Sequence, residues 1–125
     1  MNNKKKLVIA EDHAIVRDGL RSIFESDNDL EVVGEAGDGM EAIRLINSTN
    51  PDVLLLDLNM PRMDGISALR EIKKQSKEIK VVVLTMHKDE EYILEAFSSG
   101  ADGYCIKTSS GKEEKHLMRF STKVL

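Results

Sequence analysis

Four short apolar runs in this 125-residue chain each lead into a group that can do chemistry. Leu7-Val8-Ile9-Ala10 runs into Glu11-Asp12, Val53 to Leu56 into Asp57, Val81 to Leu84 into Thr85, and Gly103 to Ile106 into Lys107. Carboxylates crowded together repel and raise one another's pKa unless a cation compensates. Oxygen ligands without His or Cys suit Mg²⁺ or Mn²⁺ better than zinc. A Mg²⁺ ion held by one or two carboxylates keeps waters and open positions, which suits a phosphate ligand. Thr85 and Lys107 then offer a donor and a positive charge to phosphoryl oxygens. Asp57, the deepest and most central of the acids, is the candidate nucleophile for an aspartyl-phosphate. Singly, each acid reads as a helix cap or loop solvator, and Asp12 could simply cap the first helix. Five complementary groups at four strand ends favour the chemical reading.

The elements that must position these groups alternate five times. After Leu7–Ala10 comes a helical pattern with Val16, Leu20, Ile23 and Phe24 on one face. Leu30 to Ala36 is followed by Ala42, Ile43 and Ile46 at helical spacing. The third strand precedes Ile66, Leu69 and Ile72, and the fourth precedes Tyr92, Ile93, Ala96 and Phe97. After the fifth, Leu117, Phe120 and Val124 mark a last helix. Five strand–helix units imply a parallel sheet with helices on both faces. Strands one, three and four are unbroken apolar runs, as expected when both faces are covered. The second alternates around Glu31 and Glu35 and the fifth is short, so these two are the expected edges. The order 2-1-3-4-5 follows, an α/β flavodoxin-like doubly wound five-stranded parallel sheet with five helices. In such a sheet ligands bind where the strand order reverses, here between strands one and three. Asp38 with Glu41 and Ser110 with Glu113 have capping-box spacing, Asp64-Gly65 can open the third helix, and Asp89-Glu90-Glu91 favour the start of the fourth. Pro51 requires the second helix to stop before Asn50.

Composition sets the outer limits. The length is that of one domain, expected over residues 1–125, with no linker or repeat. Apolar residues make up 41% and charged residues 32%, values of a globular chain. Eighteen basic against twenty-two acidic side chains leave a net charge of −4, which argues against a nucleic-acid surface on these residues. The apolar runs are too short for a membrane span and the polar start shows no signal peptide. With its single Cys105, the chain is expected in reducing cytoplasm.

Several segments together carry a resemblance. Glu11-Asp12 is similar to the acidic pair of a response-regulator receiver domain, the phospho-acceptor module of two-component signalling. Leu54-Leu55-Leu56-Asp57-Leu58-Asn59-Met60-Pro61-Arg62-Met63-Asp64-Gly65 resembles its phosphorylation segment and Thr85 its switch hydroxyl. Gly100-Ala101-Asp102-Gly103-Tyr104-Cys105-Ile106-Lys107 resembles its closing segment, with a switch aromatic and a lysine. The likeness spans roughly Leu7 to Thr108. It implies that Asp57 accepts phosphate, that Asp12 holds Mg²⁺ directly and Glu11 through water, and that Asn59 contributes its backbone carbonyl. Thr85 and Tyr104 would form the switch. It also implies a sensor histidine kinase as partner, with small phosphodonors as substitutes, and no enzymatic activity beyond the domain's own phosphoryl transfer and dephosphorylation. A phosphorylation-dependent homodimer would be one outcome. His13 and Glu35-Ala36-Gly37-Asp38-Gly39 are similar to the NarL/FixJ-type subfamily of transcriptional regulators, which usually carry a C-terminal helix-turn-helix. DNA would then be bound through a domain absent from this chain. Thr108 departs from the proline that many receivers carry after the lysine, and the last helix, Lys112 to Leu125, is more polar than usual.

A flavodoxin-like nucleotide-binding protein would need a Gly- or hydroxyl-rich phosphate cradle after the first strand, where Glu11-Asp12 would repel phosphate. An aspartyl phosphatase would place an Asp-x-Asp pair after its first strand, whereas Asp57-Leu58-Asn59 follows the third. A stand-alone receiver without DNA binding is the alternative within the family. The chain stops at Val124-Leu125, apolar and without a helix-stop signal, so we expect it to be cut before a linker to an output domain. His13, His87 and His116 share no ligand spacing and read as surface or loop histidines. Cys105 reads as a small core residue, and Met60 and Met63 as packing beside the Pro61 turn.

Overall fold

The computed structural model describes residues 4–60, 64–76, 78–85 and 90–106, with the backbone alone at 106. In chain order the elements are β1 (Lys5–Ala10), α1 (Ala14–Glu25), β2 (Leu30–Ala36), α2 (Gly39–Thr49), β3 (Val53–Asp57), α3 (Gly65–Gln75), β4 (Lys80–Thr85), α4 (Glu90–Ser98) and β5 (Gly103–Ile106). All pairings are parallel and the order is β2-β1-β3-β4-β5, with the alternating second strand and the short fifth at the edges. Lys107, His87, the Pro61 turn with Met63, the Ser110–Glu113 capping pair, Thr108 and the fifth helix with His116 lie outside the described residues.

The unbroken apolar runs are explained by the two layers they serve. Side chains alternate across a strand, so Val8 and Ala10 enter one core while Leu7 and Ile9 enter the other. The first core takes Ala42 and Ile46 of α2, Ile66, Leu69 and Ile72 of α3, and Ala96 of α4. The second takes Leu20 and Phe24 of α1 with Leu55, Val82, Leu84 and Cys105. Each fully buried side chain of this size contributes about 1.5–3 kcal/mol relative to an exposed one. The first strand begins earlier than its apolar run because Lys5 and Lys6 pair with Leu30 and Glu31 while their side chains stay exposed. Its register slips between Leu7 and Val8, so Val33 is the extra residue of a bulge in the edge strand.

Local signals place the helices above the strand ends. Asp38 caps α2, its carboxylate accepting from the Glu41 N–H at 2.9 Å, and Glu41 reaches back to the Gly37 N–H at 2.7 Å. The helix stops at Asn50, which adopts a left-handed conformation (φ 47°) ahead of Pro51. Asp64 caps α3 by accepting from the Ile66 N–H and the Ser67 hydroxyl. Gly65 is required there on steric grounds: a Cβ would lie 2.6 Å from the Leu58 Cα, immediately after Asp57. The fourth helix is the least embedded, with Ala96 buried, Tyr92 and Ile93 half-buried, and Leu94 and Phe97 exposed.

Candidate functional site

The acids stand at the end of a rigid ladder. The Glu11 N–H donates to the Ala36 carbonyl at 2.9 Å, carrying the β1–β2 pairing one residue past β1. The Leu58 N–H donates to the Leu84 carbonyl at 2.9 Å and does the same for β3 against β4. Ala10 pairs with Leu56, so Glu11 and Asp57 follow side by side on adjacent strands, about 4.8 Å apart in the ladder direction. Glu11, Asp57 and Thr85 are the buried polar side chains among the described residues, at 0%, 0% and 1% exposure.

Burying carboxylates without compensation is costly, so each must be held. One oxygen of Asp57, Oδ1, accepts from the Asn59 N–H at 2.9 Å, a turn within the loop itself. Glu11 Oε2 accepts from the His13 N–H at 3.0 Å and lies 3.1 Å from His13 Nδ1. His13, not Asp12, occupies the N-cap position of α1, and it makes no side-chain cap bond. Asp12 therefore is not spent on the helix. Its Oδ1 is buried and lacks a hydrogen-bond partner among the described residues. A buried carboxylate oxygen left unsatisfied costs about 1–3 kcal/mol or more, and a bound cation removes that cost. The ligand atoms of Glu11, Asp12 and His13 lie within 4.8 Å of one another. The donor chemistry and the orphaned oxygen both fit a divalent cation.

Thr85 ends β4 on the face shared with Val81 and Val83, within the α2–α3–α4 core. Tyr104 packs against the same core from β5, half-buried, and its ring meets the Phe97 ring edge-on with centroids 5.7 Å apart. Tyr92 of α4 packs half-buried against the same core. Burial pushes its phenol pKa up, and the charges of Asp64, Glu95 and Asp57 push the same way.

The structure also brings in residues that the sequence reading passed over. Arg17 donates to the Glu11 backbone carbonyl at 2.7 Å and, through Nε, to Glu35 at 3.2 Å. Arg21 holds the other oxygen of Glu35 at 2.7 Å. Glu35, an apparent interruption in β2, is thus the anchor that ties the acid-bearing turn to the sheet edge. The only sequence signal is an opposite-charge pair, one residue a turn into α1 and the other just before the end of β2. His13 is a surface histidine, 65% exposed, and its ring edge lies against the acid pair.

The arrangement is that of a doubly wound α/β domain whose switch point carries buried acids where a nucleotide-binding relative would need a phosphate cradle. The family model for the response regulator receiver domain matches residues 7–118. The chain belongs to that family. It is 45% identical over 108 residues to an uncharacterized transcriptional regulatory protein, YhcZ, of Bacillus subtilis, covering 86% of this chain and 50% of that one. It is 44% identical over 109 residues to the oxygen regulatory protein NreC of Staphylococcus epidermidis, covering 86% and 50%. A two-component response regulator of the LuxR family from Aurantimonas superposes with a TM-score of 0.83 at 35% identity, covering 93% of this chain and 83% of that one. The chain spans about half the length of the two curated relatives. Among the described residues no helix is long and apolar enough to cross a membrane.

Proposed function

We propose that this domain accepts a phosphoryl group on Asp57 from a sensor histidine kinase and thereby controls a DNA-binding output carried elsewhere in a longer protein. The observation that supports it most is the fully buried Asp57 carboxylate, held by the Asn59 N–H beside an acid pair with an orphaned oxygen. In the transfer, an Asp57 oxygen bonds to phosphorus as the phosphorus–nitrogen bond of the donor phosphohistidine breaks. The electron pair leaves with the imidazole, which takes up a proton. Asp12, Asp57 and the Asn59 backbone carbonyl would hold Mg²⁺, with Glu11 acting through water. When bound, that ion offsets negative charge on the phosphoryl oxygens. Burial of Asp57 excludes competing water, and the Asn59 N–H fixes one carboxylate oxygen so that the group meets phosphorus in one orientation. Lys107 and Thr85 contribute a positive charge and a hydroxyl donor to the phosphoryl oxygens.

Thr85 drawn toward the phosphoryl group leaves space that Tyr104 enters, which alters the α4–β5 face and favours self-association. A cytoplasmic setting suits a kinase-fed domain of this kind. Transcriptional output rests on the regulatory roles named for the relatives, of whose length this chain spans about half. With a net charge of −4, these residues alone should not bind DNA specifically. The test is incubation with Mg²⁺ and acetyl phosphate, followed by intact mass. One added phosphoryl group is expected, absent in Asp57→Asn and blocked by a chelator. Retained labelling in Asp57→Asn would overturn the assignment.

A further inference from the structure

Every cation role assigned so far uses oxygen, yet the ring of His13 stands inside the same cluster. Its Nδ1 is 3.1 Å from Glu11 Oε2 and 3.3 Å from Asp12 Oδ1. Two ligand atoms bound to one tetrahedral ion at ordinary zinc–nitrogen and zinc–oxygen lengths lie about 3.3 Å apart. The two nitrogen–oxygen spacings are therefore close to the edges of a coordination polyhedron. The contact to Glu11 also serves as a hydrogen bond, but the one to Asp12 does not, since Asp12 Oδ1 has no hydrogen-bond partner among the described residues. The ring is 65% exposed, so an ion reaches it from solvent without opening the core.

We propose that His13 turns this pocket into a mixed nitrogen–oxygen site that selects borderline divalent ions of the zinc class over Mg²⁺. The proposal rests on the cation-binding reading above and extends it to which ions the pocket favours. The physical reason is ligand hardness. Mg²⁺ draws little from an imidazole and holds its waters, whereas first-row ions up to Zn²⁺ gain from it. Three consecutive residues, Glu11, Asp12 and His13, then form one chelating turn, with the first fixed by the β1–β2 ladder and the last by the start of α1.

The test uses the tag-free chain and measures Zn²⁺ and Mg²⁺ affinity by equilibrium dialysis for wild type, His13→Ala and His13→Asn. Asparagine keeps a side-chain donor for Glu11 and removes the imidazole. Even the loss of a group standing behind a metal ligand costs about 10–100-fold in affinity, so both variants should lower the ratio of Zn²⁺ to Mg²⁺ affinity at least about tenfold. The ¹⁵N resonance of the His13 ring should move on addition of Zn²⁺, which separates it from His87 and His116. Backbone amide spectra verify that both variants are folded. An unchanged affinity ratio, or a His13 ring resonance indifferent to Zn²⁺, overturns the proposal. Asp12→Ala distinguishes the two readings. If Asp12→Ala leaves Mg²⁺ binding intact, the cation assignment fails and the His13 proposal falls with it, whereas loss of Mg²⁺ binding in Asp12→Ala beside an unchanged affinity ratio in His13→Ala overturns the His13 proposal alone.

Discussion

Replacing Gly65 with alanine should damage the domain where the start of α3 touches the residue that follows Asp57. The added Cβ would sit 2.6 Å from the Leu58 Cα and 2.8 Å from the Leu58 carbonyl oxygen. Carbon atoms pack best at about 3.5–4.0 Å, so the two backbones must part by about 1 Å. Neither side gives easily. Leu58 is bonded to Leu84, and Asp64 holds the first turn of α3. Overpacking of this kind costs about 1–3 kcal/mol, and because the clash is backbone against backbone the upper half of that range applies. The helical preference of alanine returns less than about 1 kcal/mol. A net loss of about 2 kcal/mol should lower Tm by about 8 °C for a domain this size. Urea unfolding followed by circular dichroism measures it, with Gly37→Ala as control, since a Cβ there meets nothing closer than 3.6 Å. Phosphorylation should slow as well, because the displaced loop carries the Asn59 N–H that holds Asp57. Equal stability of the two variants would refute the steric argument.

Arg17→Met should cost about 1–2 kcal/mol, because it strips a charged donor from the Glu11 carbonyl and from Glu35 in a partly solvated setting. A double-mutant cycle with Glu35→Gln should be non-additive, and additive losses would deny the link. The Ser67 hydroxyl holds the Asp64 carboxyl below its ordinary pKa, against some desolvation, with the Ile66 and Ser67 N–H groups and Arg70 adding. A depressed folded-state pKa stabilises above the unfolded value of about 3.9 and is lost as pH falls through the folded one. Asp64→Asn should therefore approach wild-type stability as pH falls from 5 toward 2 (~3 units of pH), and a constant gap in urea titrations would contradict this. Thr85→Ala should still accept phosphate but transmit it weakly. The readout is the shift of the Tyr104 ring resonances on adding beryllofluoride, and a full wild-type response would mean that output leaves by another face.

The sheet order could be read from the sequence because a central strand buried on two faces writes itself as an unbroken apolar run, and an edge strand, only half-buried, as a run interrupted by charge. What escaped was whatever periodicity does not encode. Lys5, Lys6 and Lys80 extend their strands through backbone pairing alone, with exposed side chains that look like loop residues. In α4 the marked residues Tyr92, Ile93 and Phe97 have helical spacing, yet only Ala96 is buried, since spacing gives a face but not the depth of its seat. At the site, Glu11, Asp12, Asp57 and Thr85 were visible because each ends an apolar run. Arg17 and Glu35 were not, because their pairing spans eighteen positions and joins a helix to an edge strand. His13 reads as a surface histidine and is exposed, and its contacts with the two residues before it are not encoded in the spacing of the three histidines.

The bonds from the Glu11 N–H to Ala36 and from the Leu58 N–H to Leu84 place Glu11 and Asp57 on the scaffold rather than on the loops that follow it. On the proposed reading, variation at the loop tips beyond Asp12, His13 and Asn59 would leave the phosphoryl chemistry intact. A lineage built on this frame is free to change which donor it listens to by altering loop tips and helix starts. Recognition and chemistry would then be separable, and grafting loop tips between such domains should exchange partners without re-engineering the reaction.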